Sequence, residues 1–212
     1  MTTLPLPTAD GGGRYPGFDV LSQADHWDPE TRTVVEDRLT VSHELRFFTA
    51  TEAAAATALF DQLLYQREEP KVPVTFIVDA RIAAGQTDGW HYDTMPTDHD
   101  AWRASLAALD EDAREAQGVP FCECDWEEQK RLLTAIHDWE GDRWHDLPPS
   151  AVWSLWTRYA CTAFYAHPFA WNEIGFAGPA YPRGYKNLGV DKLDPFEVPD
   201  TDPADDPLRR KP

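Results

Sequence analysis

No stretch of this chain approaches the ~20 apolar residues that a helix needs to cross a bilayer, so direct membrane insertion is not expected. Cysteine is scarce, with three in 212 residues, at Cys122, Cys124 and Cys161. An odd count cannot be fully paired within one chain. A lone Cys-x-Cys also supplies neither the four ligands nor the wider spacing of a tetrahedral zinc site. Reduced, partly buried thiols are the expectation, with a cross-link to a second chain as the alternative. Bases are few as well: 19 Lys and Arg stand against 37 Asp and Glu, for a net charge of -18. A face for nucleic acid or an anionic membrane surface needs a basic stripe, which this balance disfavours. Also missing are a Gly-x-Gly-x-x-Gly opening a helix, a Gly-x-x-x-x-Gly-Lys loop and a Gly-x-Ser-x-Gly elbow. Hence no motif binds FAD, NAD or ATP unaided, and no catalytic, cofactor or metal residue is assigned. The start, MTTLPLPTADGGGRYPG, has no basic region followed by an apolar one. The expected location is cytoplasmic, or exported only in complex with a signal-bearing partner.

What is present is unevenly spread. Between Asp98 and Asp146 stand 14 acids against five bases, the pattern of a solvated face. Residues 1–47 are rich in Pro, Gly and acids with poor periodicity, which predicts an extended N-terminal arm. Arg38 to Phe48 reads as a strand or an extended lead-in. One helical domain is expected over 48–193, followed by a disordered acidic, Pro-rich tail over 194–212.

The fold class is all-α, with about five helices joined by long Pro/Gly-rich connections. Thr49 and Glu52 fit a capping box, and Ala56, Leu59, Phe60, Leu63 and Leu64 then share a face up to a stop at Pro70. Val74, Ile77, Val78, Arg81 and Ile82 repeat at helical spacing, although the β-branched VPVTFIV leaves a strand open. A third helix runs from Thr97 or Asp98 to a stop at Gly118, with Trp102, Leu106, Leu109 and Ala113 inward. Asp125 and Glu128 cap a fourth, ended by Gly141. Pro148 and Pro149 open a fifth, whose apolar residues from Val152 to Tyr165 run nearly all round it. Such a helix lies central in a core or against another protein.

The most informative segment follows it: HPFAWNEIGFAGPAYPRGY, residues 167–185. Pro168, Pro179 and Pro182 fix their own φ, lack donors and push the preceding residue away from helical geometry. Gly175, Gly178 and Gly184 permit backbone shapes closed to other residues, so neither helix nor strand can run far. Stiff turns carrying Trp171, Phe176, Tyr181 and Tyr185 make a surface that loses little entropy on docking. The alternative is a C-terminal strap closing over its own core. Arg183 is a candidate bidentate partner for a carboxylate, while Asn172 and Glu173 fix the turn. His167 with Glu173 could instead serve metal or acid–base chemistry if further ligands were near. The structural counterpart has a cationic His167 at the last turn of the preceding helix, and Glu173 accepting backbone N–H groups or pairing with Arg183.

This segment, followed by KNLG, resembles the C-terminal signature of the gluconate 2-dehydrogenase subunit 3 family. A looser similarity covers FFTATEAAAATALFDQLLYQ and PVTFIVD. The resemblance implies a small, non-flavin subunit of a sugar or polyol dehydrogenase. Its large subunit would be an FAD-binding glucose–methanol–choline oxidoreductase passing electrons to a separate acceptor, commonly a multihaem cytochrome. Partner contact would then fall on His167, Pro168, Trp171, Asn172, Glu173, Gly175, Phe176, Gly178, Pro179, Tyr181, Arg183, Gly184 and Tyr185. Relatives commonly carry a twin-arginine export signal on this subunit, and the present start departs from that pattern. Two other functions compete: a small independent metal-dependent enzyme using His167 and Glu173, and a general folding or export chaperone.

Overall fold

In the computed structural model, residues 15, 17–87, 89, 92–187, 189 and 192–199 are described. The α-helices are α1 (Pro29–Asp37), α2 (Ala50–Leu64), α3 (Val74–Ala83), α4 (Asp98–Gln117), α5 (Trp126–His137), α6 (Pro149–Tyr165) and α7 (Pro168–Ile174). Short 3-10 turns at Val20–His26 and Phe121–Glu123 complete the regular structure, and no strand occurs among the described residues. The chain is all-α. By its internal contacts it divides into two compact units, residues 42–164 and residues 1–41 with 165–212, where the sequence predicts one domain over 48–193.

The first unit holds α2 to α6. Its helix starts are written in the sequence. Thr49 accepts the N–H of Glu52 while the Glu52 carboxylate accepts that of Thr49, the reciprocal box expected. Thr97 caps α4, Gly118 ends it at φ 77°, and Asp125 caps α5. Two ends fall earlier than predicted. Helix α2 stops at Leu64, with Tyr65 left-handed at φ 54°, six residues before Pro70. Helix α5 stops at His137 rather than running to Gly141. Residues 74–83 are helix, which settles the strand alternative.

Trp102 is fully buried at the centre of this unit, with Phe48, Phe60 and Tyr159 around it at centroid distances of 5.9, 5.6 and 5.6 Å. Offset and edge contacts of this kind add to the gain from burial. Several polar groups drawn into the core are paired, although the Nε1 of Trp102 has no hydrogen-bond partner among the described residues. Tyr159 donates to Asp98 at 2.6 Å, Trp156 Nε1 to Ser105 at 3.0 Å, and Gln129 Nε2 to the carbonyls of Phe121 and Cys124. Asp79, wholly buried on α3, accepts the N–H groups of Arg46, Phe47 and Phe48. The run from Arg38 to Phe48 is therefore an irregular lead-in pinned by a side chain, not a strand. Helix α6 buries Val152, Leu155, Trp156, Tyr159, Ala160 and Ala163 and leaves Cys161 and Tyr165 outside. It is a core helix.

The second unit corrects the predicted extended arm. Asp19 accepts the N–H of Leu21 at the start of the Val20–His26 turn, and Asp28 caps α1 with Pro29 in its first position. Val20, Ala24, Trp27 and Val35 form a small core together with Trp171 from α7. Polar α1 escapes a periodicity test because only Val35 is buried along it. The start of the predicted tail is also ordered. Asp194 is buried and accepts the N–H groups of Lys186 at 3.0 Å and Asn187 at 3.2 Å. The rest of that tail, from 200 onward, lies outside the described residues.

Candidate functional site

The segment 167–187 opens with α7, about two turns long. His167 is its N-cap. The Nδ1 atom accepts the N–H of Phe169 at 3.2 Å, and Pro168 takes the first helical position, where its missing donor costs nothing. Burial lowers the His167 pKa to about 4, so the imidazole is neutral. A cationic His167 closing the preceding helix is thereby corrected: its partner is the helix that follows. Gly175 ends α7 at φ 68°, where a Cβ would meet the Tyr15 ring at 2.5 Å. Gly178, at φ 76°, lies flat on Trp27, and a Cβ would sit 2.6 Å from Cζ2.

The candidate residues then separate into a buried base and an exposed rim. Trp171 and Asn172 face inward. Trp171 is 5% exposed, its Nε1 donates to the carbonyl of Tyr165 at 2.7 Å, and Arg38 lies over its ring. An exposed docking role for Trp171 is therefore corrected, since its surface is spent inside its own unit. Asn172 Oδ1 accepts the N–H of Val20 at 2.7 Å. Phe176, by contrast, is 37% exposed, Tyr185 50% and Tyr181 65%. Ile174 and Leu193, which sequence reasoning did not single out, are exposed to a similar degree. A helix-spacing count over so short a segment could not have placed them outside.

Charge on this segment is unmet. Glu173 and Arg183 do not pair with each other. Glu173 is half-buried, burial raises its pKa, and no described residue gives it a hydrogen bond. Arg183 donates through Nη1 to Gln23 at 3.0 Å and carries the ring of Phe196 at 3.9 Å from Cζ, while Nε and Nη2 are buried without a partner among the described residues. Gly184 lies beside Arg183 on the wall of a cavity of about 420 Å³, and Pro179 is half-buried. Among the described residues no three His, Cys, Asp or Glu side chains gather to hold a metal ion. His167 uses its Nδ1 lone pair on the backbone, so His167 with Glu173 offers no metal-ligand set.

The thiols belong to the other unit. Cys122 and Cys124, free and largely covered, have pKa values raised by burial, with Asp110 adding to the effect at Cys122 and Asp125 at Cys124. Cys161 is exposed. No described helix is long and apolar enough to cross a membrane.

Comparison with known proteins finds one family model, Gluconate 2-dehydrogenase subunit 3, matching residues 50–178. The match takes in the span between Gly85 and Pro148, outside the segments that carry the resemblance above, and it reaches α7 with Gly175 and Gly178. Pro179, Tyr181, Arg183, Gly184 and Tyr185 lie just beyond it. Neither the comparison with characterised proteins nor that with solved structures finds a match. With more than half of its length matched, the chain belongs to the gluconate 2-dehydrogenase subunit 3 family.

Proposed function

We propose that this chain is a non-catalytic small subunit that binds and stabilises an FAD-dependent dehydrogenase large subunit and assists its maturation. The flavin belongs to the partner. That partner oxidises a sugar, glycoside or sugar acid and passes electrons to a separate acceptor such as a cytochrome c subunit. The complex stays in the cytoplasm, or travels out with a signal-bearing partner.

One observation carries the reading: three large aromatic side chains stand exposed on a closely packed base. Phe176, Tyr181 and Tyr185 rise from turns anchored by Trp171, Asn172 and the two tightly packed glycines. Aromatic residues held in this way lose little freedom on docking and are enriched at the energetic centres of protein interfaces. The family match supports the same reading, because its description is that of a subunit. Co-expression with an FAD-dependent glucose–methanol–choline flavoprotein from the same genome provides the test. A stoichiometric complex, with flavin occupancy of the large subunit falling when this chain is omitted, is the expected result. A monodisperse chain that ignores the flavoprotein, and a flavoprotein that matures fully alone, would refute it.

A further inference from the structure

We propose that the Nε/Nη2 edge of Arg183 is the seat of a carboxylate supplied by an acidic side chain of the partner polypeptide. This rests on the partner-binding function above and names the chemistry of one contact within it.

The guanidinium is held in place with half of its capacity unused. Gln23 takes Nη1 at 3.0 Å and Phe196 covers one face at 3.9 Å. Both Nε and Nη2 are closed to solvent and make no hydrogen bond among the described residues. These two nitrogens form the side of the guanidinium fork that presents parallel N–H groups, matched in spacing to the two oxygens of a carboxylate. A buried donor left without an acceptor is costly, and here two lie side by side on a charged group.

No carboxylate of the chain fills that edge among the described residues. Asp194 is the one acid lining the adjoining cavity of about 420 Å³, and it is committed elsewhere. Its oxygens accept the N–H groups of Lys186 and Asn187, and its own N–H donates to Glu197 at 2.6 Å. Lys186, on the same cavity wall, makes no ion pair among the described residues, so two cations stand against the one committed carboxylate of Asp194 although the chain as a whole is strongly acidic. The exposed rings of Tyr181 and Tyr185 flank Arg183 in sequence. Aromatics around a desolvated charge are the pattern of a protein interface, and they favour a polypeptide over a free acid as the source. Because the two nitrogens are sealed, the incoming group enters only as the atoms covering them move aside.

The test uses the full chain with arginine side chains labelled with nitrogen-15, alone and bound to the co-expressed flavoprotein. Arg183→Lys keeps the charge without the fork, and Arg183→Gln removes both. Thermal melts establish that each variant folds. Expected results are a downfield shift of the Arg183 Nε–H signal in the complex and at least tenfold weaker association for both variants. Wild-type affinity in both variants would overturn the proposal while leaving the subunit function intact. Failure of the wild-type chain to bind the flavoprotein at all would overturn both. Sodium acetate, compared with chloride at equal ionic strength, separates the sources. A saturable acetate shift at Arg183, with no effect of either variant on the complex, would assign the edge to a small free acid and overturn the polypeptide source.

Discussion

Asn172 Oδ1 accepts the backbone N–H of Val20 at 2.7 Å, a bond between residues 152 positions apart that ties α7 to the Val20–His26 turn. Both groups are buried, and the Nδ2 of Asn172 is left without a partner among the described residues. The second unit is thus closed by this side-chain acceptor, by the bond from Arg183 to Gln23 and by Trp171 packed in one cluster with Trp27 and Val35. Asn172→Ala strands the Val20 donor, which predicts a loss of roughly 1–3 kcal/mol. Hydrogen exchange at the Val20 amide should quicken, while the amides of α4 in the other unit keep their protection.

The glycines of the signature are predicted to differ in cost. Gly178 and Gly184 both hold left-handed φ, 76° and 68°. A Cβ at Gly184 meets nothing within 4 Å, whereas at Gly178 it would be driven into Trp27. Gly184→Ala should therefore lose only the backbone preference, about 1 kcal/mol. Gly178→Ala adds a clash with a ring fixed in the small core and should cost at least twice that, read as a shift in the urea midpoint at unchanged slope.

Acid should weaken the same unit through His167. Its folded pKa of about 4 lies below the ordinary value of 6.5, so the unfolded chain takes up the proton first. Stability from this group is complete above pH 6.5 and is lost as pH falls toward 4, on the order of 3 kcal/mol in all. Protonation also removes the acceptor that caps α7. Glu173, whose pKa is raised, acts with the opposite sign: its contribution is greatest at low pH and fades as pH rises through its folded value. His167→Asn keeps a capping oxygen without a titrating group. It should flatten the decline of the urea midpoint between pH 6.5 and 4.5; an unchanged slope would refute the assignment.

Much of the first unit was legible because its signals are local. Thr49 with Glu52, Thr97, Gly118 and Asp125 each announce a helix end within four residues, and the inward faces of α2 to α6 repeat at helical spacing. The second unit was not legible, since its core joins Val20, Trp27 and Val35 to Trp171 across most of the chain. Nothing in the spacing of Trp171, Phe176 and Tyr181 tells which ring turns inward. That is decided by α7, whose start at Pro168 and stop at Gly175 direct Trp171 onto the core and release Phe176 beyond it. Pairing of Glu173 with Arg183 was a reasonable expectation of opposite charges close in sequence. It fails because Gln23 holds the guanidinium and Phe196 covers it.

Thiol chemistry should follow exposure. Cys161 is open to solvent on α6, while burial raises the pKa of Cys122 and Cys124 and holds down their thiolate fraction. Iodoacetamide at pH 7.5 should label Cys161 first, at least tenfold faster than either of the others. Mass-spectrometric mapping of the labelled peptides gives the order, and faster labelling at Cys122 or Cys124 would contradict it.

The exposed rim makes the strictest demand on the proposed function, because it separates stability from association. Tyr181 and Tyr185 are 65% and 50% exposed, so truncating them removes little that the isolated chain uses. Tyr181→Ala should shift its stability by no more than about 0.5 kcal/mol, as for ordinary surface sites. Tyr185 also meets the ring of Phe196 at 5.7 Å, so Tyr185→Ala should cost slightly more. If these rings anchor a partner, each truncation should weaken the complex by roughly 2 kcal/mol, about thirtyfold in Kd, with most of the change in the dissociation rate. Trp171→Ala should do the reverse, unfolding its unit by about 3 kcal/mol or more whether or not a partner is present, because a large buried ring leaves a cavity that cannot collapse. Calorimetry on the isolated chain and surface-based kinetics with the flavoprotein give both numbers for each variant. Loss of stability without loss of association at Tyr181 and Tyr185 would mean that these rings serve their own chain, and the docking surface would have to be sought elsewhere.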